Sequence, residues 1–220
     1  MFLSITNNIR NLGTRNARLF FAIFYFVGTI GFLIPSTANL FSYLTPFALF
    51  ITTVLLMIFH TENLDKKTIS IFSIIFLFGY GIEVIGVNTG LIFGDYSYSY
   101  GLGPKLINTP LMIGINWLIL TYTFDTLTRD FKYSKIVQAL IAATAMTSYD
   151  IIIEQVAGTL QMWHWSGDSI PIKNYIAWFV IGFIMQLIIK YSKINTKNPL
   201  SIAIILCHIT FFLILILVNL

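Results

Sequence analysis

The sequence predicts an all-α bundle of about seven membrane-spanning helices, one integral membrane domain over residues 1–220 with a cytoplasmic N-terminus. Three observations predict it. Apolar residues fill 57% of the 220 positions and charged residues only 10%, where soluble domains carry about a quarter charged. Seven apolar stretches approach the roughly 20 residues that cross a bilayer. The basic residues separate between alternate connections, as the positive-inside rule requires.

The spans fall at about 17–35, 39–59, 68–88, 108–125, 135–156, 172–190 and 199–218. The first follows Arg10, Arg15 and Arg18 with no small-residue cleavage pattern behind it, which marks a retained span rather than a signal peptide. The second ends at His60, read as a structural histidine at the inner rim. The third carries Glu83 among Gly79, Gly81, Gly86 and Gly90, a composition that suits close helix packing. The fourth is short and contains Asn116. The fifth holds Asp150 and Glu154, and the sixth begins at Asn174, Tyr175 and Trp178. The seventh contains the one cysteine, Cys207, a small hydrophobe with no partner for a disulfide, and His208 alone on an apolar run.

With the N-terminus inside, Arg10, Arg15, Arg18, Lys66, Lys67, Arg129, Lys132, Lys135, Lys190, Lys193 and Lys197 all lie on the inner side. Only Lys105 and Lys173, of 13 basic residues, lie outside. Losing or gaining one interior span would scramble this division. The net charge of +4 belongs to that inner rim and gives no reason to expect nucleic acid. The expected location is the cell membrane, as a multi-pass protein.

Two outer connections, roughly 89–107 and 157–171, are rich in Gly, Trp and Tyr, the make-up of a lid or pocket wall. An interfacial aromatic belt has a similar composition. Of nine acidic residues, Glu62, Asp65, Asp95, Asp125, Asp130 and Asp168 fall in loops or at their rims, which leaves Glu83, Asp150 and Glu154 inside spans. An ionisable group there costs at least about 2.5–3.5 kcal/mol to insert, so it faces the bundle interior and marks function. Asp150 and Glu154 are four apart, on one helical face. Two carboxyls that close in a low dielectric do not both ionise, which places an acid inside the membrane. All three acids lie in the outer parts of their spans, at a depth where they can meet. The alternative is that they are structural links to backbone, Asn174 or Lys173.

The stretch from Trp163 to Trp178 adds Trp163 and Trp165 flanking His164, then Asn174 and Trp178; aromatic faces can stabilise a cation. Three scattered His and one Cys make no metal set, and no phosphate loop, dinucleotide fingerprint or Asp-rich diphosphate motif is present. The chemistry expected is cofactor-independent acid–base work on an apolar substrate.

From Glu83-Val-Ile-Gly86-Val-Asn-Thr89-Gly90 through Phe93-Gly94-Asp95-Tyr96-Ser-Tyr98, Gly103-Pro104-Lys105-Leu, Pro110 and Trp117, the chain resembles the carotenoid biosynthesis membrane family that includes the CruF-type carotenoid 1,2-hydratases, also called bisanhydrobacterioruberin hydratases. Asp150 with an acid four later, Trp163-x-Trp165 and Ile170-Pro171-Ile-Lys-Asn174-Tyr175-Ile-Ala-Trp178 agree with the family's other signature. The resemblance runs from Glu83 to Trp178. It departs at one place, where the family reads Asp, three residues, Asp-Pro and this chain reads Asp150, three residues, Glu154-Gln155. A longer arm and a straighter helix would shift the acid by about an ångström or more.

The resemblance implies a hydro-lyase that adds water to the terminal C1=C2 double bond of an acyclic carotenoid, such as lycopene or a C50 relative, with the rest of the polyene among membrane lipid. It implies Asp150 as proton donor, Glu154 as the carboxyl sharing its proton, and Glu83 orienting or deprotonating the water. Asp150 and Glu83 are interchangeable on the sequence alone. Tyr96, Tyr98, Trp163 and Trp165 would flank the cation, Asn174 would position water or a carboxyl, and Trp178, Asp95 and Thr89 would complete the substrate site. The competing readings are an end-group cyclase or isomerase, and a non-enzymatic carotenoid binder or proton-coupled transporter.

Overall fold

The computed structural model describes residues 13–167 and 169–218; Arg10 and Asp168 lie outside them. Seven helices are present among these residues: α1 Thr14–Leu33, α2 Pro35–Ile58, α3 Lys66–Thr89, α4 Leu111–Thr128, α5 Lys135–Glu154, α6 Ile172–Ser192 and α7 Ser201–Leu217. They match the expected spans to within a few residues. Five, α1, α2, α3, α5 and α6, are long and apolar enough to cross a membrane, and α7 is a shorter apolar helix of 17 residues.

The position of α4 explains its polarity. It packs against α2, α3, α5, α6 and α7, so nearly every one of its faces is buried. A helix enclosed by protein can carry Asn116, Thr121, Thr123 and Asp125 where a lipid-facing one cannot. Asp125 lies in the last turn of α4, near the rim as the sequence suggests, but it is not exposed there. It is buried inside α4, paired with Lys190 Nζ of α6 at 2.7 Å and hydrogen-bonded by Thr196. The fourth span also starts later than expected, at Leu111, because residues 105–110 form a tight hairpin. In it β2 (Lys105–Leu106) pairs with β3 (Thr109–Pro110) across Ile107 and Asn108, both at positive φ as a type I′ turn demands.

The outer connections are not plain loops. Tyr96–Tyr98 (β1) pairs antiparallel with Trp163–Trp165 (β4), Tyr96 opposite Trp165 and Tyr98 opposite Trp163. Side chains alternate across a strand, so Y-S-Y and W-H-W each turn two aromatics inward and leave Ser97 and His164 exposed. The all-α expectation therefore gains a two-stranded aromatic cap over one end of the bundle.

The glycines of α3 divide. A Cβ on Gly79 would lie 2.7 Å from Trp117 Cβ, and one on Gly86 would lie 2.5 Å from Phe93, so both are needed for close approach. Gly81 has nothing within 4 Å of that position and does not serve packing.

Candidate functional site

Glu83 lies on the inward face of α3, 3% exposed. Its Oε2 accepts the Tyr96 and Tyr98 hydroxyls, each at 2.6 Å, and its Oε1 accepts the Trp117 indole N–H at 2.9 Å. Both phenols come from β1, so the strand's alternation delivers two donors to one oxygen. Trp117, which sequence reasoning left out of the site, also stacks on Trp178 with ring centroids 4.0 Å apart. The phenols lie outside the spans. Burial first, then the Glu83 charge, holds the Tyr96 and Tyr98 hydroxyls well above the usual phenol range, so they remain donors.

Asp150 and Glu154 occupy successive turns of α5, as their spacing predicts. The Asn174 amide, one turn into α6, donates to both, to Asp150 Oδ2 at 3.1 Å and Glu154 Oε1 at 3.3 Å. Glu154 Oε2 accepts the indole N–H groups of Trp163 at 3.0 Å and Trp165 at 2.9 Å. Asp150 is fully buried, and its Oδ1 has no hydrogen-bond partner among the described residues. Lys173, one of the alternative partners considered for the acids, instead reaches the Gly90 carbonyl at 2.7 Å.

Glu83 and Glu154 meet at a small cavity of about 20 Å³, walled also by Asn174, Tyr96, Tyr98 and the aromatic rings around them. That is room for one water, which needs about 10–15 Å³ and two or more polar partners. Beside it lies an apolar cavity of about 310 Å³ between α1, α2, α4, α5 and α7, and Ile113 and Trp163 belong to the walls of both. A cavity of that size is at the lower end for ligand pockets. Asp150 lines neither. Tyr149 and Ile153, on the adjoining stripe of α5, face the apolar cavity, while Asp150 turns towards Asn174.

Glu83, Glu154, Tyr96, Tyr98, Trp163, Trp165, Asn174 and Trp178 are thus gathered at one place, with Asp150 directly behind. Thr89 and Asp95 are not. Thr89 is exposed at the end of α3, its hydroxyl donating to the Ile85 carbonyl at 2.6 Å, and Asp95 is exposed with its carbonyl bonded to the Ser166 N–H. The tryptophans also make polar contacts that the sequence did not suggest. Their N–H edges hold Glu154, which leaves their faces to the cavities.

His208 is not alone on its span. Its Nε2 is 2.5 Å from the Tyr25 hydroxyl and its Nδ1 3.1 Å from that of Tyr149, and all three line the apolar cavity. His60 is buried at the end of the bundle away from the aromatic cap, beside the Tyr122 hydroxyl at 2.7 Å. Among the described residues no group of three His, Cys, Asp or Glu side chains is arranged to hold a metal ion.

Over 129 residues the chain is 25% identical to bisanhydrobacterioruberin hydratase of Haloarcula japonica, an alignment covering 53% of this chain and 42% of that relative. The chain therefore spans under half the length of that protein. No solved structure matches it. A family described as carotenoid biosynthesis protein matches residues 44–220, a range that contains both acid-bearing helices, the aromatic cap and Asn174. The chain belongs to the carotenoid biosynthesis protein family.

Proposed function

We propose that the protein is a carotenoid 1,2-hydratase of the cell membrane, a cofactor-independent hydro-lyase acting on the terminal double bond of an acyclic carotenoid such as lycopene or a C50 relative. The observation that carries this reading is the pairing of two cavities. A one-water space walled by Glu83, Glu154 and Asn174 shares Ile113 and Trp163 with a larger apolar cavity able to take a hydrocarbon end. A cyclase or isomerase has no use for the first, and a pure binder has no use for its carboxyls.

The end group occupies the apolar cavity and the rest of the polyene lies in lipid. The Asp150–Glu154 pair, joined through Asn174, supplies the proton to C2, with Glu154 as the member on the cavity wall. The tertiary cation at C1 lies near the faces of Trp163 and Trp165 and the negative charge of Glu83. The water bonds through oxygen to C1 and gives up a proton to Glu83, so the net change is one alkene and one water to one alcohol. Glu83 suits the base role because all three of its partners are donors. This revises the sequence-based assignment, in which Asp150 itself delivers the proton.

The test is expression in a bacterial host that accumulates lycopene, with pigments resolved by chromatography and mass spectrometry. Expected is a more polar pigment heavier by one water, abolished by Glu83→Gln and by the Asp150→Asn, Glu154→Gln double variant. Gly28→Leu, which extends a side chain into the apolar cavity, should raise KM for the carotenoid. A new pigment of unchanged mass would overturn hydration in favour of cyclisation or isomerisation.

A further inference from the structure

Glu154 stands on two walls at once. One faces the one-water cavity; the other faces a polar hollow of about 480 Å³ on the far side of β4, lined by Gln155, Gly158, Thr159, His164 and Ser169. Trp163 and Trp165 stand on both walls as well. We propose that this hollow is the aqueous inlet of the site, and that the Glu154 carboxylate, clamped by the two indoles, is the partition across which the added water passes. The inference rests on the hydration reading above.

Three observations support it. The apolar cavity is walled mainly by hydrocarbon side chains of α1, α2 and α7, a poor route for a molecule that must arrive once per turnover. The remaining walls of the small cavity are closed by Phe93, Ile113 and Trp178 and by the phenols locked onto Glu83. The third is the use of the Glu154 oxygens. Among the described residues Oε2 is committed to both indole N–H groups, while Oε1 has only the longer 3.3 Å contact to Asn174, so Oε1 is the oxygen with capacity to hold a passing water. Turnover also requires the proton taken up by Glu83 to return to the Asp150–Glu154 pair, and a water held at Oε1 supplies a carrier for it. Substrate and water then approach from opposite sides of Trp163, the side chain common to all three cavities.

Cysteine labelling tests this. In a Cys207→Ala background, Gln155→Cys and Ser169→Cys place a thiol on the hollow, and Leu91→Cys places one on the other exposed outer connection. A charged, membrane-impermeant methanethiosulfonate is added and labelling is confirmed by mass. Expected at 155 and 169 is a fall of at least tenfold in kcat with KM for the carotenoid unchanged, reversed by reducing agent, and no change at 91. Complete labelling with an unchanged kcat overturns the inlet. So does a thiol at both positions that the reagent cannot reach, or a rise in KM alone, which would assign the hollow to the substrate. A background protein that forms no hydrated carotenoid removes the hydration reading, and the inlet with it.

Discussion

Replacing Glu83 by glutamine separates the carboxylate's chemistry from its packing. The indole of Trp117 can only donate, so a glutamine at 83 must turn its amide oxygen to Trp117 and its NH2 group to the two phenols, which can accept. All three contacts survive as neutral hydrogen bonds. A bond to a charged group is worth about 1.5–3 kcal/mol and a neutral one about 0.5–1.5, so the loss is about 1 kcal/mol per contact. Against it stands the relief of no longer burying a charge, which is often neutral or stabilising overall. Stability should thus move by no more than about 3 kcal/mol. The rate should respond far more, because removing a positioned general base costs about 10²–10⁴-fold, or about 3–5 kcal/mol of barrier. The assay pairs initial rates of carotenoid hydration in isolated membranes with thermal unfolding of the same preparation. A Glu83→Gln protein within threefold of the unsubstituted rate would refute the base assignment, and so would a rate loss fully accounted for by unfolding.

Shortening Glu154 to aspartate withdraws its carboxylate by one bond, about 1.5 Å, which breaks the contacts to Trp163 and Trp165 at 3.0 and 2.9 Å; hydration should slow by about tenfold or more in the same pigment assay. Gly79→Ala drives a methyl against Trp117, and the overpacking should cost about 1–3 kcal/mol in thermal unfolding and disturb Glu83. Gly81→Ala, on the same helix with open space, should change neither stability nor rate. Because burial raises the Tyr96 and Tyr98 phenols in the folded protein, the stability they contribute is fully present below the unfolded phenol value of about 10 and is lost as pH rises beyond it. Alkaline unfolding monitored by tyrosinate absorbance should begin above that value, and stability should fall less steeply with pH in a Tyr96→Phe, Tyr98→Phe double variant, which starts from a lower stability because Glu83 loses two donors.

The span pattern was legible because lipid imposes it: the length of a helix, its apolar composition and the sidedness of lysine and arginine are all local properties of the chain. The placement of Glu83, Asp150 and Glu154 within helices was legible for the same reason, and so was Asn174 as a link, being in the first turn of its helix. What held each acid was not. Tyr96 and Tyr98 reach Glu83 only after β1 pairs with a strand more than 60 residues away, and strand pairing across two long connections leaves no periodic mark beyond the alternation of Y-S-Y and W-H-W. That alternation was the available clue to the cap. His208 shows the same limit. Its partners Tyr25 and Tyr149 come from helices far apart in sequence, so a polar trio looked like a lone histidine. The burial of Asp125 and its pairing with Lys190 were hidden because a helix buried on nearly all sides has no polar face to reveal them.

We read the departure from the family's Asp-Pro at Glu154-Gln155 as one change rather than two. The helix does not need a proline to stop: α5 ends at Glu154 without one, and residues 155–161 continue in turns. Gln155 already has φ −66, where proline sits, and its N–H makes only a long 3.3 Å bond to Ile152. A proline at 155 would act instead on its predecessor, because the residue before proline avoids helical geometry. In an Asp-Pro pair the acid therefore leaves the helix and approaches its partners through the backbone. Here Glu154 stays in the last helical turn and covers the same gap with one more methylene, since the indoles of β4 fix where the carboxylate must end. Backbone and side chain compensate. Glu154→Asp alone should then be worse than Glu154→Asp combined with Gln155→Pro, which supplies the extended backbone along with the short arm. If the double variant hydrates no faster than the single one, the longer side chain is not a compensation, and the position of Glu154 is set by α5 rather than by the cap.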